Sequence, residues 1–411
     1  MINYMIYSMS CNVANFVAKA NLSDSDTLCT VQMTKVGLQR FIDLNVKYMQ
    51  NFIKNIRIPD IQVSAGIFQL SLTDIEMNDM TVPSVIVDFF EKANSGSLQV
   101  TDFGLVFVFQ FEFRQTIYPY INDQGSGYLS LSTDGGMELS PYFSDACPFH
   151  LQIHKLMANF EIKTFKIKLN GEFEFIYDSI LPLISALVQE FINEQLKEIT
   201  IQTFVNAFNS VLQNMNQAVK SDRSTNYYSD NRYIDIFLQD GFLFTQMTCQ
   251  SHRKINNQFL TWTETVKKDR TQTFSNQQIQ YFLQSDLFNV SIQNYKEFCN
   301  QEFENVSLKV GKFVRTGLLV DVFSNTVNAT MLFNVKPKIM IVAPSNNRTL
   351  FQVAYKQTVS CVGDCEYAER LGMDIEKKHL LAAAAINNAN NIAEENCMNI
   401  FVNQDYYMIG C

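Results

Sequence analysis

The decapeptide LVFVFQFEFR, Leu105 to Arg114, places Phe107, Phe109, Phe111 and Phe113 at every second position, with Gln110, Glu112 and Arg114 alternating against them. Side chains of a strand point alternately to its two faces, so the stretch predicts a strand with one phenylalanine face and one wet face. That is the pattern of an antiparallel sheet covering a helix. The same rhythm returns downstream. Phe165, Ile167 and Leu169 alternate with Lys166 and Lys168, and Phe173, Phe175 and Tyr177 with Glu172 and Glu174. Turn residues separate the runs: Asp74, Asn78 and Asp79 in one bend, Asn94-Ser-Gly in a second, Gly125-Ser-Gly and Asp134-Gly-Gly in two more. Residues 61 to 177 therefore read almost wholly as strands and turns.

Helical patterns flank this sheet. Val31 to Met33 reads as a short strand, and Lys35 to Ile56 as an amphipathic helix. Leu38, Phe41, Ile42, Met49, Phe52, Ile53 and Ile56 fall on one stripe, while Arg40, Asp43, Lys47, Gln50 and Lys54 face away. Pro59 stops it, lacking a donor and restricting the residue before it. A second helix is expected over about Ser179 to Met215, carried by Ile184, Leu187, Val188, Phe191, Ile192, Leu196 and Ile199, then Phe204, Phe208, Val211 and Leu212. At about 1.5 Å per residue it would approach ~50 Å, which implies an elongated shape.

Residues 216–232 are polar and read as an inter-domain linker. Beyond them strands are expected near Tyr233 to Met247, then a helix from Ser275, whose pairing with Gln278 forms a capping box ahead of Ile279, Phe282, Leu283 and Leu287. Strands follow over about Val306 to Ser360, a helix over Asp374 to Asn396, and a closing strand over Ile400 to Ile409. The order helix, sheet, helix recurs in both halves and suggests two related barrels. The expected organisation is a leader over 1–28, an N-terminal barrel over 29–215, the linker, and a C-terminal barrel over 233–411.

Composition excludes several functions. With 47% apolar and 18% charged residues, global disorder is excluded. Asp and Glu outnumber Lys and Arg by 41 to 32, and no segment clusters cations for phosphate tracking, so nucleic acid is not an expected partner. The longest apolar helical candidate, Ile180 to Ile192, is broken by Pro182, Gln189 and Glu190, so no transmembrane helix is expected.

The compartment is read from three weaker features. Ala18-Lys19-Ala20 has the small-x-small form of a signal-peptidase site, although Met1 to Val17 lacks a basic start and is diluted by Asn3, Asn12 and Asn15. Cleavage there would remove Cys11 and leave eight of nine cysteines, an even number compatible with disulfides. Sequons begin at Asn21, Asn289, Asn305, Asn328 and Asn347. Together these favour an extracellular or secretory-lumen glycoprotein; the alternative is a cytosolic protein with reduced thiols.

Catalytic patterns are scarce. His150 and His154 share parity in a predicted strand, but Leu151-Gln152-Ile153 lacks the Glu of a zinc-protease motif, and both read as surface or edge histidines. Cys361 and Cys365, with Gly363 and Asp364 between them, read as a disulfide-linked turn rather than a metal site. No nucleophile elbow, phosphate loop or dinucleotide fingerprint occurs. The expectation is a non-enzyme with no metal and no cofactor. A phenylalanine face usually packs as core. A long helix along a curled sheet can instead leave an apolar gap, and each buried methylene contributes about 0.8 kcal/mol, so acyl chains could bind without polar contacts.

One stretch adds a family likeness. Val-Gln-Met-Thr-Lys-Val-Gly-Leu at 31–38 is similar to the first strand and helix start of the tubular lipid-binding superfamily, in the group of bactericidal/permeability-increasing protein, lipopolysaccharide-binding protein and plasma lipid-transfer proteins. Ile56-Arg57-Ile58-Pro59-Asp60-Ile61 resembles that family's exit from the helix, and Cys147-Pro148 precedes the second long helix in the family's order. Phe274 to Ile279 and Val402 to Tyr407 also fall in order.

The resemblance implies an α+β fold. It is an elongated boomerang of two barrels, each a curled antiparallel sheet wrapped on long helices, joined by a central antiparallel sheet. Each barrel would offer an apolar tunnel for phospholipid. By position, the N-terminal tunnel would use Leu38, Ile42, Met49, Phe52 and Ile53, the row Phe107, Phe109, Phe111 and Phe113, and Ile184, Val188 and Phe191. The implied function is binding, and transfer, of phospholipid or a related acyl lipid, with transient membrane contact. The alternatives are a protein-interaction role with filled tunnels, or antimicrobial lipopolysaccharide binding.

Three departures qualify the likeness. No Cys lies between Cys147 and Cys249, so Cys147 is expected to be free or differently paired. The hairpin around Val106 to Arg114 holds Phe, Gln and Glu where endotoxin-binding members carry basic tips. Phe351 to Gly372 is short for the strands of a full C-terminal barrel, which suggests a reduced one.

Overall fold

Strand β1 (Cys29–Thr34) runs straight into helix α1, described over 35–40. The Thr34 hydroxyl accepts the Gly37 N–H at 3.0 Å and satisfies one of the orphan donors of the helix start. The computed structural model describes residues 19–40, 42, 58–81, 84–172, 181–182, 184–193, 205–206, 209, 212–213, 217–220, 227–259, 265–266, 268, 276–293, 301–341, 347–377, 383–387 and 398–410. These fall into two compact units. An inner unit is Leu38–Tyr142 with Ile153–Val211; a terminal unit is Met1–Gly37 with Phe143–Gln152 and Leu212–Cys411.

The sheet of the inner unit runs through β2 (Ile61–Ala65), β3 (Phe68–Thr81), β4 (Ser84–Phe90), β5 (Ser95–Gln115), β6 (Asn122–Ser144) and β7 (Cys147–Asn170). Its order is β2-β3-β5-β6-β7, and β4 takes the β3 side of β5 where β3 ends. Registers slip between Thr73 and Glu76 and between Val100 and Phe103. Asp74 and Asp102 sit at these slips with φ of 51° and 54°, a left-handed conformation that short polar side chains tolerate. Such bulges add local twist and curl the sheet. Helix α2, described over 184–193, packs on the curled face through Ile184, Val188 and Ile192, spaced four apart on one stripe.

Among the described residues the terminal unit holds three sheets. The polar stretch 216–232 contains β8 (Ala218–Lys220) and β9 (Tyr227–Asp230). These continue through β12 (Ser251–Ile255) to β13 (Gln258–Phe259). A six-stranded sheet has the order β10 (Tyr233–Gln239), β11 (Phe242–Met247), β1, β14 (Ile279–Gln284), β21 (Tyr406–Gly410), β20 (Met398–Phe401). A third sheet orders β15 (Ser307–Val314), β16 (Gly317–Phe323), β17 (Val327–Ile341), β18 (Asn347–Gly363) and β19 (Ala383–Asn387) consecutively. Its inner face, with Val310, Phe313, Val320, Met331 and Phe333, buries against α3 (Ser285–Gln293) and α4 (Cys365–Lys377) through Leu287, Phe288, Ile292, Ala368, Leu371 and Ile375.

The alternating readings hold. Phe107, Phe109, Phe111 and Phe113 are buried while Val108, Gln110 and Arg114 are exposed, and Leu169 is buried between exposed Lys168 and Asn170. Phe173, Phe175 and Tyr177 lie outside the described residues.

Three expectations in the second half are corrected. The helix expected from Ser275 is instead strand β14 followed by α3. All six residues of β14 are buried, because it lies between β1 and β21 with both faces covered, and a doubly covered strand loses the period-2 signal. Of the helix expected over 374–396, residues 374–377 close α4 (Cys365–Lys377) and Ala383–Asn387 form β19, paired to β18, while 378–382 and 388–396 lie outside the described residues. Alanine is the best intrinsic helix former, and here sheet pairing overrides it. The closing strand over 400–409 is a hairpin of β20 and β21, turned where the Asn403 Oδ1 accepts the N–H groups of Asp405 and Tyr406 at 2.9 Å each. Among the described residues of this half, α3 has 9 residues and α4 has 13.

Candidate functional site

The phenylalanine row of β5 is the most deeply buried feature of the inner unit, with exposures of 0% to 3%. The strands on either side supply more apolar groups: Leu70 pairs with Phe113, Leu72 with Phe111, and Leu129 with Phe107. On the β6 side Phe109 pairs with Gly127 and Phe111 with Gly125, which carry no side chains, and Phe113 with the buried Asp123. The Phe109 ring edge occupies the place where a Cβ of residue 127 would stand, and Phe111 does the same at residue 125. A side chain at either glycine would also strike the backbone carbonyl of Lys168 or Asn170. The rings therefore lie across β6 rather than standing upright, which flattens the sheet face opposite α2. Phe68 stacks on Phe113 at 5.5 Å between centroids and extends the aromatic surface to β3.

Seven of the twelve residues expected to line a lipid site meet on this face. Phe107, Phe109, Phe111, Phe113, Ile184 and Val188 belong to one buried cluster, and Phe191 packs against it from the margin. Leu38 and Ile42 are half-buried in the described part of α1. Met49, Phe52 and Ile53 lie outside the described residues. Leu129, Leu131 and Ile192 share the cluster and were not among the expected lining residues, although Ile192 was read on the second helix, i, i+4 from Val188.

At one end of the inner unit, the β5–β6 connection over 116–121 carries Ile117, Tyr118 and Tyr120 at exposures of 53%, 83% and 77%. The loop is pinned rather than trailing: the Thr116 N–H and hydroxyl both donate to Ile67 O, at 2.8 and 2.9 Å, and the Gln115 N–H donates to Ile121 O at 2.8 Å. Beside it Arg114 and Glu112 neutralise each other in an ion pair of 2.5 Å. Sequence reading passed over this loop because it fits no strand or helix period.

The terminal unit buries charge instead. Asp230 and His252 are fully buried and Arg232 nearly so, with the Arg232 guanidinium donating to Asp230 Oδ2 at 2.8 Å and to Lys19 O at 2.9 Å. His252 Nε2 lies 3.4 Å from the same carboxylate, and the guanidinium stacks 5.3 Å from the Phe149 ring. Burial alone would raise the Asp230 pKa; the His252 hydrogen bond and the Arg232 charge outweigh it and hold the carboxyl below its usual range. Burial pushes Tyr233 up to about 12. Neither the run Asp230-Asn231-Arg232 nor His252 carries a sequence motif, so the cluster was not foreseen.

Disulfides clasp this unit. Cys29 is bonded to Cys249, and Cys361 to Cys365 across the turn from β18 into α4, as the spacing of the second pair predicts. Cys147, expected free or differently paired, is disulfide-bonded. His150, expected at a surface or edge, is 1% exposed, with Nδ1 3.1 Å from Leu212 O; His154 is exposed. Among the described residues no helix is long and apolar enough to cross a membrane.

No family model matches the chain. In sequence it is 21% identical to human phospholipid transfer protein over 189 residues, which cover 45% of this chain and 36% of that relative. The match thus spans about a third of the relative's length. In structure it is similar to lipopolysaccharide binding protein, with a TM-score of 0.56 at 10% identity, over 93% of this chain and 98% of that one. At that identity the likeness establishes the fold alone, which is sheet-rich among the described residues. Taken with the strand-to-helix motif at 31–38 and the exit at 56–61, the sequence match and the shared fold support the likeness to the family of lipopolysaccharide-binding, bactericidal/permeability-increasing and lipid-transfer proteins.

Proposed function

We propose that this chain binds a phospholipid or a related acyl lipid without covalent chemistry and carries it between membranes. The observation that carries the reading is the uncharged face of β5, where four phenylalanines lie opposite α2. Such a face matches acyl chains, which need burial and no directed polar contact. The proposed contacts are Phe107, Phe109, Phe111 and Phe113 from the sheet, with Ile184, Val188 and Phe191 from α2. Leu38, Ile42, Met49, Phe52 and Ile53 are proposed from the first helix. The two-barrel arrangement of the family, with a second apolar tunnel in the terminal unit, belongs to the same reading.

The loop over 116–121 supports membrane contact. Tyrosine places an apolar ring body and a polar tip at a lipid–water boundary, and the neutral Glu112–Arg114 pair beside it favours zwitterionic over anionic lipid. An extracellular or lumenal setting is supported by the thiols: Cys29, Cys147, Cys249, Cys361 and Cys365 are all disulfide-bonded.

The test is to purify the protein from its natural source, extract it with organic solvent and identify the lipids by mass spectrometry. Diacyl lipid in stoichiometric amount, on the order of one or two per chain for pockets of this kind, supports the reading. A second reading is a protein-interaction role with the apolar spaces filled by side chains. It is favoured by the burial of all four rings against side chains of the chain itself, and an extract empty of lipid from folded protein would select it.

A further inference from the structure

The outer face of the third sheet presents apolar side chains to solvent around one asparagine. Asn328 on β17 pairs directly with Phe323 on β16 and with Val362 on β18, so the three side chains form one row across the sheet. Their chain neighbours Val322, Val327 and Ala329 point inward and are buried to 2% exposure or less. Phe323 and Val362 remain 43% and 75% exposed, and Asn328 between them is exposed. A row of this kind on a rigid sheet is an association liability unless something covers it.

Asn328 opens the sequon Asn328-Ala329-Thr330. Period 2 brings Thr330 to the same outer face, where its hydroxyl donates to Asp321 Oδ1 at 2.8 Å in the folded state. Among the described residues the Asn328 amide has no hydrogen-bond partner. The sequon at Asn289 is different: its Nδ2 donates to Asp286 Oδ1 at 3.2 Å and its Oδ1 accepts the Val310 N–H at 2.9 Å, binding α3 to β15. A bulky group on that nitrogen would separate the helix from the strand.

We propose that Asn328 is N-glycosylated and that the glycan covers Phe323 and Val362. The donor is a lipid diphosphate-linked oligosaccharide. The Asn328 Nδ2 forms a bond to the anomeric carbon of the first sugar, the bond from that carbon to the diphosphate breaks, and the diphosphate leaves with the electron pair while the amide gives up one proton. The product places a bulky, hydrated group over the exposed row. The inference rests on the extracellular reading, so its test supplies the route independently.

The full chain is expressed in eukaryotic cells behind a fused secretion leader, so that it meets the glycosylation machinery whatever its natural destination. Enzymatic deglycosylation in ¹⁸O-water followed by peptide mass spectrometry marks occupied asparagines. The expected result is label at Asn328 and none at Asn289. Folded, secreted protein unlabelled at Asn328, or labelled at Asn289, overturns the proposal. A second measurement separates cover from mere occupancy. Asn328→Gln is expected to raise hydrophobic-dye binding and lower the yield of monomer, and adding Phe323→Ser with Val362→Ser to restore both. Unchanged dye binding in Asn328→Gln contradicts the covering role.

Discussion

In the inner unit Phe107 to Phe113 are buried at 0% to 3% exposure in a cluster of apolar side chains, while in the terminal unit Asp230, Arg232 and His252 are buried as deeply, with Asp230 and Arg232 in an ion pair. The first arrangement is non-directional: an apolar face gains by excluding water and accepts any apolar neighbour of suitable size. The second is directional, because each buried charge depends on one partner at hydrogen-bond distance. The phenylalanine and glycine face suits a variable apolar neighbour, and the ion pairs and disulfides of the terminal unit fix one arrangement. The proposed sheet contacts Phe107 to Phe113 belong to the first arrangement, and the Asp230–Arg232–His252 cluster offers no such face.

The largest effect should come from breaking the directional region. Asp230→Ala leaves the Arg232 guanidinium and His252 buried without their acceptor, and is expected to cost about 3–5 kcal/mol in urea unfolding. Variant protein that still folds should retain its lipid. A loss below about 1 kcal/mol would show that the cluster contributes little. Acid probes the same group without mutation. Its folded pKa lies below the unfolded value, so the stability it confers is present above about pH 4 and is lost as pH falls through the folded value. Circular dichroism titrated downward should show wild type losing stability in that range and Asp230→Asn losing less.

A smaller effect is expected on the apolar face. Gly127→Val places a side chain where the Phe109 ring lies and against the Lys168 carbonyl, an overpacking cost of about 1–3 kcal/mol. It should also force the ring upward and reduce lipid uptake, measured as acyl lipid per folded chain. Uptake equal to wild type would remove the flattened face from the argument. The smallest change in stability, within about 0.5 kcal/mol, is expected from Tyr118→Ser with Tyr120→Ser on the exposed loop. Co-sedimentation with phosphatidylcholine vesicles should nevertheless fall. Unaltered sedimentation would place membrane contact elsewhere.

How far the sequence could be read follows from the same contrast. Phe107 to Phe113 announced their strand and its buried face, because a sheet covered on one side must alternate. β14 could not announce itself: Ile279 to Gln284 are buried on both faces, and their apolar spacing resembles a helix. The alanines before Asn387 favour helix locally and are overruled by pairing with β18. Within the candidate site, Ile184 and Val188 followed from helical spacing. The part played by Gly125 and Gly127 did not, since a glycine in sequence marks a turn as readily as a place for a neighbour's ring. Arg232 reaches Asp230 from two residues away, but His252 meets it only through the pairing of β9 with β12, which no local pattern encodes.

The central claim is that acyl chains lie against β5 and α2, and photo-crosslinking tests it most directly. A diacyl phospholipid bearing a photoactivatable group near the end of one acyl chain is bound to the full-length protein, irradiated, and mapped by peptide mass spectrometry. The account predicts adducts on peptides containing Phe107 to Phe113 and Ile184 to Phe191. Adducts confined to the terminal unit or to the exposed 116–121 loop, or none from a protein that carries lipid, would contradict it.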